Sequence, residues 1–278
     1  MEVVLNGFFF KMMARICLLN ILIFNTTAQA EDTNNVQCDQ EFLSKGWGVL
    51  ADNKIFFGHQ SVGNNILDGL ELLAAKCNKK FTLIQTRDAD QVNGSVFAHA
   101  QIGKNKHPET KLADFKMLME QGMGQKVDIA FMKLCYVDFQ HDTKVDELFV
   151  KYGEMLAALG ERHPNTKYFA VSVPLTTIQT GPKAWIKKII GRPVSGIIEN
   201  KKRQEFNKLL RAEYGANDRL FDIAVIESTL PDGTREKYQL DGQEYYSLYQ
   251  GYTDDGEHLN EVGQLRAAQA LLDVIGKM

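Results

Sequence analysis

From about residue 54 onward, apolar residues alternate between two rhythms. Short unbroken apolar runs stand at 54–58, 81–86, 127–134, 167–173 and 220–225, and runs of that length bounded by polar turns predict buried strands. Between them the spacing is helical. Residues 62–77 place Val62, Ile66, Leu70, Leu73 and Ala74 on one stripe, and 142–162 do the same with Val145, Leu148, Phe149, Tyr152, Leu156 and Leu159. Further helices are predicted over 111–122, 198–214 and from about Asn260 to 277. Strands that are apolar throughout are covered on both faces, and their alternation with helices argues for a parallel sheet between two helical layers. Residues 87–109 show little periodicity and read as a long functional loop. Residues 175–197, with Gly181-Pro182 and Gly191-Arg192-Pro193, read as an insertion carrying a short lid helix. The segment 238–252 holds five tyrosines, which suit either sugar rings or core packing.

In such sheets the site lies beyond the carboxyl ends of the strands, and the candidate chemistry collects there. Ser61 follows the first strand, loop 87–109 the second, Cys135 and Asp138 end the third, and Asp255 and His258 lie beyond the fifth. A serine hydroxyl needs an adjacent base to act as a nucleophile. A place between strand and helix aims backbone N–H groups at a developing oxyanion. A plain N-cap would equally select serine. Asp255 and His258, three residues apart at a helix start, form a base with its orienting carboxylate. Asp254 is a competing partner for the imidazole. Acids favoured by the helix dipole explain Asp254, Asp255 and Glu257 but not His258.

The block around Ser61, Ile55 to Gly63, and the block Asp255-x-x-His258 resemble the first and last blocks of the SGNH (GDSL-like) hydrolases. That resemblance implies a flavodoxin-like three-layer α/β/α sandwich of about five parallel strands over 54–278. It implies Ser61, His258 and Asp255 as catalytic residues. It also implies an oxyanion hole built from the serine N–H, a second-block glycine N–H and a third-block asparagine. Gln101-Ile102-Gly103-Lys104-Asn105 is the best second block, making Gly103 the glycine, with Gly94 as competitor. In the third block Cys135 falls on the family's glycine and Val137 on its asparagine, so Asn105, Lys133 or Tyr136 would supply the missing donor. His59-Gln60-Ser61 replaces Gly-Asp-Ser, and His59 is either a polar contact in the pocket or a turn histidine bonded to backbone. The implied activity is hydrolysis of acyl esters, commonly acetyl groups on carbohydrate, with short lipid esters next. Acyl transfer to a polysaccharide hydroxyl, or a non-catalytic carbohydrate-binding or scaffold role with a decayed site, are the alternatives. The resemblance implies no cofactor and no metal.

Composition narrows the setting. The 278 residues are 44% apolar and 24% charged, with net charge −3, and no basic stripe suggests nucleic acid. Lys11 and Arg15 flank an early apolar stretch, Ile16 to Phe24 form an apolar run broken only by Asn20, and Ala28-Gln29-Ala30 offers a small-x-small site. Residues 1–30 therefore read as a signal peptide cleaved after Ala30, followed by an N-terminal segment, 31–53. The expected location is secreted or periplasmic, without stable membrane insertion, because the apolar core is short for a span. Cys135 sits in an apolar run, which leaves Cys38 and Cys77 to form a disulfide, with three free thiols as the alternative. His99, His107, His141 and His163 lack ligand spacing, so no metal site is expected. Asn200, Arg203 and Asn207 share a helix face, read as solvated rather than as a pocket wall. Lys183, Lys187, Lys188 and Arg192 suit an anionic substrate or ordinary surface charge.

Overall fold

The computed structural model describes residues 36–191 and 194–278. The proposed signal segment and Arg192 lie outside them, as do the side chains of Lys183, Lys187 and Lys188. In chain order the elements begin with α1 (Glu41–Asp52), β1 (Lys54–His59), α2 (Ser61–Lys76), β2 (Leu83–Gln85), β3 (Val96–Gln101) and α3 (Pro108–Leu118). The middle of the chain supplies α4 (Gly124–Lys126), β4 (Ile129–Met132), α5 (Val145–Arg162), β5 (Lys167–Val171), α6 (Gly181–Ile189) and α7 (Ile197–Tyr214). It closes with β6 (Leu220–Phe221), α8 (Ile223–Ser228), the hairpin β7 (Lys237–Leu240) and β8 (Gln243–Tyr246), and α9 (Glu261–Ile275).

β2-β3-β1-β4-β5-β6 form one sheet in that order, every pair parallel. Leaving aside the three-residue edge β2, the other five follow the doubly wound flavodoxin order. The fold is therefore a three-layer α/β/α sandwich, with six strands rather than about five. Neighbouring strand residues face opposite layers. Phe57, Phe131 and Phe169 stack across β1, β4 and β5 with ring centroids 4.5 and 4.2 Å apart, on the side covered by α1, α2 and α9. Phe56, Ala130 and Ala170 face the other layer, with α3, α5 and α7.

Three elements depart from the sequence expectation. Segment 87–109 is not one loop, because Val96–Gln101 forms β3, an inner strand between β2 and β1. Its small alanines and His99 hide an otherwise buried run. The run 220–225 is strand only through Phe221: the Asp222 carboxylate accepts from the Val225 N–H at 3.3 Å and starts α8. Helix α1 had no forecast. It buries Leu43, Trp47 and Leu50, and it lies so close to α9 that a Cβ on Gly46 would stand 2.4 Å from the Leu272 carbonyl. The Cys38–Cys77 disulfide ties its approach to the end of α2, and Cys135 is a buried free thiol. Residues 41–52 thus share the compact unit of 54–278, which begins at Glu31.

Candidate active site

β1 ends at His59, Gln60 continues extended, and Ser61 is the first residue of α2. Gln60, not Ser61, occupies the cap position, and the Ser61 hydroxyl makes no hydrogen bond among the described residues. The hydroxyl is therefore not engaged in capping. The Ser61 N–H belongs to the first helical turn, where backbone donors have no helical acceptor. The Gln60 amide donates to the carbonyls of Ile102 (2.9 Å) and Gly103 (3.3 Å), which staples the serine turn to the 102–105 loop.

The second half of the site is the turn before α9. Asp255 Oδ2 lies 2.8 Å from His258 Nδ1, while its Oδ1 accepts the N–H groups of His258 (2.7 Å) and Glu257 (2.8 Å). Asp255, not Asp254, is thus the imidazole's partner. Desolvation pushes the Asp255 carboxyl upward, but the bonds from the His258 N–H and ring and the Glu257 N–H outweigh it and hold it well below the usual carboxylate range. A carboxylate acceptor at Nδ1 favours the tautomer with its proton there, the one whose Nε2 lone pair can take a proton from a nucleophile. The turn needs glycine at 256, where φ is +87° and a Cβ would meet Thr177 Oγ1 at 2.6 Å. Asn65, one turn into α2, accepts the Leu259 N–H at 3.2 Å. That bond holds the serine helix against the residue next to His258.

Tyr136 stands edge-on to His258, with centroids 5.8 Å apart, and its hydroxyl donates to Glu257 at 2.8 Å. Burial, reinforced by the Glu257 carboxylate, raises its phenol far above the ordinary value. Tyr136, Thr176, Gln179, Arg203, Asp255 and Glu257 line a polar cleft of about 400 Å³. A larger hollow of about 560 Å³, near Glu41, Lys45 and Lys277, lies at the far end of α9, away from this chemistry.

Several predicted site residues do something else. Gly103 cannot offer its N–H to an oxyanion, because that group donates to Asp114 at 2.8 Å. Its φ is +53°, and a Cβ there would stand 2.5 Å from the Lys111 backbone nitrogen, so glycine lets the loop pack against α3. His59 and Lys133 are fully buried and offer no accessible surface to a substrate. His59 donates from Nδ1 to the Gln60 carbonyl (2.9 Å) and receives His99 Nδ1 at Nε2 (2.9 Å). Burial pushes it down to about 3, so it is neutral. It props the first turn of α2, since a Cβ on Gly63 would sit 2.3 Å from its ring. Among the described residues, Lys133 Nζ reaches the Leu134 carbonyl at 3.4 Å and Cys135 Sγ at 3.7 Å.

Asn105 is placed differently. Its Oδ1 accepts from Lys111 Nζ at 3.0 Å, the residue is exposed, and its Nδ2 donor has no acceptor among the described residues. Lys111 is itself paired with Asp138 at 2.6 Å, both side chains wholly buried. Asp138 also accepts the N–H groups of Lys106 (2.9 Å) and Cys135 (2.7 Å). This node, which no local sequence signal announced, locks the 103–107 loop to the end of β4. The polar face of α7 was also misjudged. Asn200, Arg203 and Asn207 are buried, and they hold Thr176, the Tyr136 carbonyl and Val173 in place.

No family model matches the sequence, and no curated protein matches it. Among solved structures, the chain is similar to one from Streptococcus pneumonia described as "a putative platelet activating factor". The identity is 15%, 84% of this chain and 91% of that one are covered, and the TM-score is 0.46. It is also similar to "a putative SGNH hydrolase" from Slackia heliotrinireducens, at 15% identity, 79% and 96% coverage and a TM-score of 0.42. Both likenesses are distant, and what the site can do follows from its own geometry.

Proposed function

We propose that the protein is a divergent SGNH-type serine esterase that acts outside the cytoplasm on small acyl esters, with acetyl groups on carbohydrate as the leading substrate class. The observation that carries this reading is the Asp255–His258 pair, tied through the Leu259 N–H and Asn65 to the helix that Ser61 opens, with a serine hydroxyl that caps nothing. His258 Nε2 removes the Ser61 proton as Oγ attacks the ester carbonyl. The Ser61 N–H and Asn105 Nδ2 receive the oxyanion. The tetrahedral intermediate collapses, His258 protonates the departing alcohol, and water activated by His258 then hydrolyses the Ser61 acyl ester. The polar cleft reaches the site at Asp255 rather than at Ser61 or His258 and suits the hydroxylated part of a substrate, and the Cys38–Cys77 bridge supports an exported protein.

One observation favours a second reading, a carbohydrate-binding protein on a hydrolase fold: the Gly103 N–H is bonded to Asp114, which leaves the hole one donor short. Hydrolysis of p-nitrophenyl acetate by residues 31–278, beside Ser61→Ala and His258→Ala, separates the two. Activity lost in both variants supports the esterase, and activity retained in Ser61→Ala removes the nucleophile. Inactivity of every form, together with glycan binding, selects the second reading.

A further inference from the structure

Helix α6 is built inside out. Trp185 is 65% exposed, Ile186 51%, Ile189 62% and, just past the helix end, Ile190 56%. At 100° per residue these four fall within one arc of about 140°, opposite Ala184, which is buried. A surface helix ordinarily turns its apolar stripe to the core. The other exposed large apolar residues among those described, Met117 and Val150, stand singly on other helices. Isolated apolar residues on a surface are normal, but a contiguous patch marks an interaction site.

Charge identifies the occupant. Residues 163–198 contain no Asp or Glu, yet carry Lys183, Lys187, Lys188 and Arg192 in and just after the helix, in a chain whose net charge is −3. By helical position the three lysines fall outside the apolar arc. A Trp and several isoleucines on one face with lysines beside them is the pattern of a helix that lies in a lipid interface. Pairing with a second copy through this face would press two basic helices together. No helix among the described residues is long and apolar enough to cross a membrane, so this is a surface contact. The excursion is tied at its base, where the Gln179 N–H donates to the Ser195 carbonyl at 3.1 Å. Gln179, Ser195 and Gly196 also line the cleft beside Asp255.

We propose that α6 docks the protein onto an anionic lipid surface through Trp185, Ile186, Ile189 and Ile190. This goes beyond the esterase reading and does not depend on it. Each basic residue near such a surface strengthens binding about fivefold, and each buried isoleucine or tryptophan about tenfold or more.

The test uses the compact unit 31–278, which lacks the apolar stretch at 16–24 that would bind lipid by itself. It is sedimented with phosphatidylcholine vesicles, with and without about one third phosphatidylglycerol. The expected result is sedimentation with the anionic vesicles only, weakened by salt, with a blue shift of tryptophan emission. Trp47, the other tryptophan, is already buried, so the shift reports Trp185. Trp185→Ser/Ile189→Ser, whose side chains support no core, lowers partition at least about tenfold, and Ile186→Lys lowers it as well. Ser61→Ala binds as the wild type does, whatever its activity. Three results would each overturn the proposal: no binding to anionic vesicles, undiminished binding by the double variant, or self-association that the double variant abolishes without any vesicle binding.

Discussion

Replacing Lys111 with methionine tests the link between the buried node and the oxyanion donor. Lys111 Nζ contacts Asp138 Oδ2 at 2.6 Å and Asn105 Oδ1 at 3.0 Å, with the ion pair wholly shielded from water. Methionine keeps most of the volume and removes the charge. Leaving one member of a buried pair alone costs about 3–5 kcal/mol. Asp138 would retain the Lys106 and Cys135 N–H donors, which places the expected cost near the lower end, about 3 kcal/mol. For a chain of this size that lowers the melting temperature by about 6–12 °C. Urea denaturation followed by circular dichroism measures it. Adding Asp138→Asn removes the stranded charge and should recover about 1 kcal/mol or more. Below its melting point the single variant should also turn over substrate at least about tenfold more slowly, because Asn105 loses the contact that aims its amide. A destabilisation under about 1 kcal/mol would refute the role given to the pair. A folded variant with full turnover would refute the link to Asn105.

Three further outcomes are expected. Burial pushes Glu227 from 4.5 up to about 8, so the folded state keeps a proton that the unfolded chain releases. Its contribution to stability is full below 4.5 and declines as pH rises to about 8, and Glu227→Gln should flatten that decline in urea midpoints taken across the range. Equal slopes in the two proteins would exclude it. Asn105→Ala should lower kcat by about 10²–10³-fold while costing no more than about 1.5 kcal/mol of stability; unchanged turnover would remove Asn105 from the hole. Cys38→Ser/Cys77→Ser opens a bridge of sequence separation 39 and should cost about 4 kcal/mol by loop entropy, read by the same denaturation, with an unaltered midpoint as the contrary result.

The inner strands β1, β4 and β5 were legible because doubly covered parallel strands are apolar without interruption. β3 was not, since Ala98, His99 and Ala100 are buried by their neighbours rather than by their own hydrophobicity. α1 hid because only Leu43, Trp47 and Leu50 mark its inner face and its two glycines blur the period. Asp222 ended the last strand earlier than its apolar run suggested. In the site, the Asp255–His258 contact was legible because the two residues stand three apart in one turn. His59 and Lys133 were misplaced because their depth is a product of packing. The Lys111–Asp138 pair joins residues 27 apart, and no local spacing reveals such a partner. The polar face of α7 looked like a solvated face for the same reason, since its partners come from the segment after β5 and the turn after β4.

The central claim is that Ser61 is a nucleophile activated by His258. Intact-mass measurement after exposure of residues 31–278 to a fluorophosphonate tests it most directly, because the probe forms a covalent bond with an activated serine and needs no knowledge of the natural substrate. The expected result is a single adduct mapped to Ser61, absent in Ser61→Ala and formed far more slowly in His258→Ala. No adduct on the folded protein, or an adduct that persists in Ser61→Ala, would contradict it.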